Sequence, residues 1–329
     1  MPPDLQLCPG LPAGTVLPGL ELGYYRAFFR VTAPIRLPAY AGSLWRGVLG
    51  HALQDVFCRT RDFKCSGCRH RRDCLYGQLM ETPPNPEVAL MGNQASVPHP
   101  LILRVPAPGQ PKTHGPGERV PLDFALFGMA NYQLRALIEG FAAIAEREFG
   151  RDRGRLVLER VERQDPNQPD GPTRPVFEAG RFFDPGEPLV PQAAPMPRRV
   201  TVHLETPLRL KSRGEPVTAG GFNFEIFLRA VVRRVSMIHT FYGKKELEAN
   251  YQKLWELAKQ TRFSHCQVFP YRWARRSNRQ NRTLRMDGLL GRFSLDLRGN
   301  EEVWPFLSQG RHLLVGKGTI MGMGRYRLE

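Results

Sequence analysis

Four groups of residues in this chain have the types and spacing to do chemistry. His51, with Asp55 one helical turn later, sets an imidazole beside a carboxylate that could orient it, the makings of a general acid or base. Cys58, Cys65, Cys68 and Cys74 follow as C-x6-C-x2-C-x5-C, enough soft ligands to close a tetrahedral metal shell. Between Arg262 and Arg285 lie seven arginines (262, 272, 275, 276, 279, 282, 285) and no acid, interleaved with His265, Phe269, Tyr271 and Trp273. Residues 316–329 hold four glycines, Gly316, Gly318, Gly322 and Gly324, around Lys317 and run into an alternating tail.

The glycine segment is not a nucleotide cradle. A Walker loop needs G-x4-G-K-[ST], but Gly310 and Gly316 are separated by five residues, and Gly318 stands where the metal-binding hydroxyl belongs. A dinucleotide fingerprint needs strand, G-x-G-x2-G, helix; here the third glycine comes late and a strand follows. Two readings remain: a turn of positive φ with no ligand, or a bare backbone against which something large lies. On the second, Gly316, Lys317, Gly318, Gly322 and Gly324 are candidate contacts to a polyanion.

Guanidinium groups alternating with rings are what single-stranded or hairpin RNA asks of a surface, arginines for phosphates and aromatics for bases. Arg272, Arg275, Arg276, Arg279, Arg282, Tyr271 and Trp273 are therefore candidate RNA contacts; the alternative is a basic hairpin that is merely solvated. The first helix, from about Ser43 to Phe57 with Ser43 as N-cap, is expected to bury Leu44, Val48, Leu49, Ala52, Leu53 and Val56. Its other face, Ser43, Gly47, Gly50 and Gln54, is nearly free of side chains, so close approach by protein or RNA backbone is expected there. His51 at its edge could take a proton from a ribose 2′-OH or give one to a leaving 5′ oxygen, with Arg46 or Lys317 steadying the charge. Tyr40 and Arg46 join His51 as candidate catalytic residues; a surface histidine without a task is the other reading. His239, His265 and His312 are weaker candidates.

The cysteine spacing reads most simply as structural zinc, with an iron–sulfur cluster as the alternative. Four thiolates leave no open position, so no catalytic cofactor is expected. Lys64, Arg69, His70, Arg71 and Arg72 make the insertion basic, while Cys8 and Cys266 have no partner by spacing.

These residues must be positioned by a chain of 329 residues with formal net charge +16 and 41% apolar content, long enough for two domains. The arginine-rich excess points to a polyanionic partner. No apolar run is long enough for a membrane span and no signal peptide is evident, so a soluble cytoplasmic protein is expected. Strands are expected over 24–33, 100–105, 119–127 and 155–161, with helices over 43–57 and 130–148. After a proline-rich linker, 164–198, the pattern repeats: strands over 200–210, 265–273, 283–297 and 319–328, helices over 222–242, 245–259 and 301–315. The fold class expected is α+β, tandem ferredoxin-like (RRM-like) βαββαβ domains, 1–163 and 199–329, the first carrying the cysteine insertion 58–76.

Thr206-Pro207-Leu208-Arg209-Leu210-Lys211, Arg276-Ser277-Asn278-Arg279-Gln280, Gly288-Leu289-Leu290-Gly291 and the Gly316–Gly324 segment resemble the CRISPR-associated endoribonucleases of the RAMP superfamily that process repeat RNA. Gly42-Ser43-Leu44-Trp45-Arg46-Gly47 is similar to that superfamily's glycine-bearing first-helix entry. The resemblance implies two ferredoxin-like domains holding CRISPR repeat RNA on a basic face. It also implies a metal-independent cut leaving a 2′,3′-cyclic phosphate and a 5′-hydroxyl, and a histidine in or near the first helix, which His51 matches. A non-cleaving RAMP subunit that binds crRNA inside a Cas effector complex is the runner-up expectation. A metal-dependent nuclease is a third.

Overall fold

The structure is a computed structural model that describes residues 17–65, 67–83, 97–150, 152–168, 171–245, 247–277 and 282–329. It is a mixed α/β protein with antiparallel sheets, and its contacts divide it into two compact units, one spanning Gly19–Pro191 with Thr240–Lys244, the other mainly Gln192–His239 and Lys245–Glu329.

In the first unit, β1 (Leu22–Ala33) alternates Tyr25, Ala27, Phe29 and Val31 into the core, as a half-buried strand must. The helix α1 (Gly42–Phe57) follows, then β2 (Leu101–Arg104), β3 (Arg119–Phe127), α2 (Leu134–Ala142) and β4 (Arg155–Gln164). The strand order is β2-β3-β1-β4, every neighbour antiparallel. Residues 164–198 are more than a linker: β5 (Arg174–Glu178) and β6 (Arg181–Phe182) extend this sheet beyond β4.

What positions α1 is aromatic packing. Trp45 sits 5.1 Å from Phe29 and 4.8 Å from Phe149, ring centroid to centroid, and is buried with Leu49, Ala52 and Leu53 at helical spacing. Each leucine contributes roughly 1.5–3 kcal/mol by leaving water. Gly140 of α2 lets the two helices close, since a Cβ there would stand 2.3 Å from Leu53 Cδ2. The buried stripe therefore differs from the one expected: Gly42, Trp45 and Gly50 join it, while Val56 lies exposed. Ala41, which makes no side-chain cap bond, takes the N-cap position expected of Ser43. The second helix is also shorter than 130–148, being flanked by 3₁₀ turns over Gly128–Gln133 and Ala143–Glu146.

The second unit repeats the order. Its elements are β7 (Arg199–Leu208), α3 (Phe224–Tyr242), α4 (Tyr251–Gln260), β8 (His265–Tyr271), β9 (Ala274–Ser277), β10 (Arg282–Arg285), β11 (Gly288–Asp296), α5 (Trp304–Gly310) and β12 (Tyr326–Leu328). The sheet runs β8-β11-β7-β12, the same order as in the first unit, around Phe227, Phe293 and Tyr326. Residues 319–328 are not one strand. A 3₁₀ turn, Thr319–Met321, comes first, because Gly318, Gly322 and Gly324 all take φ near +80°, which breaks an extended chain. The helix expected over 301–315 likewise ends at Gly310.

Among the described residues no helix is long and apolar enough to cross a membrane.

Candidate functional site

The glycine segment is an internally packed loop. Val315 N–H donates to Gly324 O at 2.9 Å and Gly324 N–H to Pro207 O at 3.1 Å, while Lys317 N–H donates to Arg209 O at 2.9 Å. Thr206, fully buried, donates its hydroxyl to Gly322 O at 2.7 Å and accepts from Arg325 N–H at 2.8 Å. A Cβ on Gly316 would stand 2.5 Å from Arg209 O, and one on Gly324 only 1.7 Å from Val315 O. Close backbone approach is thus the reason for these glycines, and the approaching backbone is the protein's own. Gly322 and Gly324 are buried, which removes them as direct contacts; Gly316 and Gly318 are partly open, and Lys317 is exposed at the loop's tip.

Arg209 links this loop to the arginine-rich segment. Its carbonyl holds Lys317 N–H, and its Nη1 donates to Arg285 O at 3.2 Å and contacts Met286 Sδ at 3.1 Å. The segment itself is edge strand β8, paired with β11, followed by the β9–β10 ribbon in register Ala274↔Arg285 to Ser277↔Arg282. Arg272, Arg282 and Arg285 are exposed, Tyr271, Trp273 and Arg275 partly so, and Phe269 keeps 53% of its surface in solvent. Arg279 and the side chain of Arg276 lie outside the described residues. Asp287, just beyond the acid-free stretch, reaches Arg285 at 3.5 Å, a surface pair worth at most ~1 kcal/mol. Arginines in this density on one ribbon set the salt dependence of anion binding. The double variant Arg272→Ala/Arg282→Ala should therefore flatten the plot of log affinity for single-stranded RNA against log salt by about 1.4, two phosphates at ~0.7 each. An unchanged slope, measured by salt titration, would leave the ribbon as solvated surface.

His51 stands on α1 with an exposed edge. Desolvation of its other side holds the imidazole below its ordinary pKa; the Arg147 and Arg46 guanidiniums push the same way and the Asp55 carboxylate opposes them. A histidine in this setting is neutral at pH 7 and ready to accept a proton. Asp55 is not free to steer it, because its Oδ2 is engaged by Arg147 Nε and Nη2, both at 2.5 Å. Arg147, which sequence reasoning missed, comes from the segment after α2, 92 positions away. The pair borders a hollow lined also by Glu146, Glu148 and Arg155.

The face of α1 expected to be bare is half covered. Gly47 has no atom within 4 Å of where a Cβ would be, but Gly50 faces Met80 Cε at 3.3 Å, from the helical turn Gly77–Glu81, and Tyr76 at 3.7 Å, from the end of the cysteine insertion. Arg46, partly buried, approaches Glu81 at 4.0 Å. Tyr40, 4% exposed, is inside the core.

The four clustered cysteines and Cys266 are free thiols, and the four line one small cavity. Among the described residues no three His, Cys, Asp or Glu side chains already form a ligand shell, so the expected tetrahedral centre is not preformed.

Two family models match the chain: residues 20–189 match one described as an N-terminal domain, AF_1859_N, and residues 202–326 match the CRISPR-associated endoribonuclease Cas6. No protein among the curated sequences matches. Of solved structures, a partial Cas6-RT-Cas1–Cas2 complex is similar at 14% identity and TM-score 0.56, over 95% of this chain and 46% of that one. A Cas6 product complex gives 14% and 0.54 over 94% of this chain and 99% of its own. Thermus thermophilus Cas6 gives 14% and 0.52 over the same shares. The chain spans less than half of the first of these, and at such identity the likeness is one of fold.

Proposed function

Because the chain belongs to the Cas6 family of RAMP-type CRISPR-associated endoribonucleases, we propose that it binds CRISPR repeat RNA and cuts it within the repeat, releasing mature crRNA. The observation that carries this is the joining, through Arg209, of the Lys317 loop and the arginine ribbon into one basic surface of the second unit. The strand order common to both units supports reading them as tandem ferredoxin-like domains.

The cut is metal-independent. The ribose 2′ oxygen attacks the adjacent phosphorus as neutral His51 takes its proton, and the 5′ oxygen leaves and is protonated. The products are a 2′,3′-cyclic phosphate and a 5′-hydroxyl. Arg147, held by Asp55, and Arg46 supply positive charge beside the imidazole, where a phosphorane's added negative charge needs it. The product RNA then passes to a Cas effector complex.

Cleavage of the cognate repeat should therefore persist with magnesium omitted and EDTA present, and the upstream product should carry a cyclic phosphate by mass. Tight binding without any cut would instead make the protein a carrier of guide RNA, and loss of cleavage in chelator a metal-dependent nuclease.

A further inference from the structure

Among the described residues of the loop between α1 and the π-helical segment Gly77–Glu81, Tyr76 alone is buried. Arg59, Thr60, Arg61, Asp62, Phe63 and Lys64 are all exposed. Phe63 leaves 45% of its surface in water instead of anchoring the loop. Two non-glycine residues here, Arg61 at φ 60° and Phe63 at φ 56°, hold left-handed backbone. That conformation costs of order 1–2 kcal/mol per residue and persists only where something overdetermines it. A short segment without apolar packing is ordered by a cross-link or a metal.

We propose that Cys58, Cys65, Cys68 and Cys74 bind one thiophilic divalent cation, zinc by its ligand chemistry, and that this tetrathiolate site staples the loop to α1. All four thiols line a single small cavity, and four thiolates around one point are the donor set of a single tetrahedral ion. Cys65 and Cys68 form the compact half of the site: Cys68 N–H donates to Cys65 O at 3.3 Å, with Gly67 at φ +75° between them. A divalent ion with four thiolates carries net charge near −2, and Arg59, Lys64 and Arg71 line the same cavity to offset it. Binding releases the thiol protons to solvent and draws the sulfurs together, so a shell that is open without the ion closes with it.

The other two ligands explain what the staple holds. Cys58 caps α1, its N–H donating to Gln54 O at 2.9 Å. Cys74 contacts Phe57 O through its sulfur at 3.5 Å and, through its carbonyl, begins the turn that leads to Tyr76 and Met80 over Gly50. The ion therefore fixes the cover on the helix that carries His51 without touching the histidine.

The full-length protein, purified without added metal, should retain one zinc per chain by elemental analysis. After stripping and titration with Co²⁺ alone, it should show thiolate-to-cobalt charge transfer and the visible bands of tetrahedral cobalt. Cys65→Ser/Cys68→Ser should abolish both, whereas Cys266→Ser, exposed in the second unit, should keep both. If the double variant does not fold, metal content and the cobalt spectrum of the unaltered protein still decide. A metal-free chain with four freely reactive thiols, a disulfide among them, iron with acid-labile sulfide, or a cobalt spectrum indifferent to the cysteine changes would each overturn the proposal.

Discussion

His51→Ala is expected to lower the rate of repeat-RNA cleavage about 10²- to 10⁴-fold, the span that a positioned acid–base group contributes, while leaving RNA affinity unchanged. Affinity should survive because the arginines and Lys317 proposed to hold phosphates belong to the second unit, and His51 to the first. The pH profile separates a base from a bystander. Desolvation, Arg147 and Arg46 disfavour the imidazolium, so the neutral form is already populated below the ordinary histidine range. The single-turnover rate should rise with pH through that lowered pKa and level off at a lower pH than an ordinary histidine would give. Arg147→Ala removes one of the depressing charges and releases Asp55, and both changes raise the pKa. The acid limb must therefore move to higher pH. An unaltered rate in the alanine variant, or a limb that stays put when Arg147 is removed, would shift the chemistry to another residue.

The first helix was legible as a helix, but its surroundings were not. Leu49, Ala52 and Leu53 follow the 3.6 period, and a local pattern suffices to find them, whereas Trp45 was missed and Leu44, Val48 and Val56 are not fully buried. Gly50 read as a bare surface because glycine has no side chain to declare its environment. Tyr76 and Met80, which cover it, arrive from the end of an insertion whose path follows no period and from the helical turn after it. Asp55 read as a partner for His51 because i,i+4 spacing is visible in sequence. The partner it takes, Arg147, is brought by the packing of α2's end against α1, a tertiary event with no local signature. Most strands of each unit were similarly legible from alternation, whereas β5 and β6 were lost among prolines that mask short edge strands.

The glycine loop is where local reading and structure part most sharply, and it yields the largest structural effect. Gly324→Ala should destabilise the second unit by about 3–5 kcal/mol, from an αL penalty of ~1–2 and two backbone hydrogen bonds at ~1 each, plus the overlap itself. A Cβ 1.7 Å from Val315 O, with further contacts at 2.7 and 2.9 Å to that residue's backbone, has no flexible side chain to push aside. The backbone must move, and the bonds from Val315 to Gly324 and from Gly324 to Pro207 go with it. Gly318→Ala meets the same φ penalty, but its neighbours are Met323 Sδ at 2.6 Å and Met321 Cε at 3.2 Å, ends of side chains that can swing away. It should cost less. Gly214, at φ +88° with nothing within 4 Å, isolates the φ penalty alone, so Gly214→Ala sets the baseline. Denaturant unfolding of the three variants should rank them Gly324, Gly318, Gly214 from most to least damaged. If Gly324→Ala cost no more than Gly214→Ala, the loop would be soft enough to reshape, and its glycines would again need an outside partner to explain them.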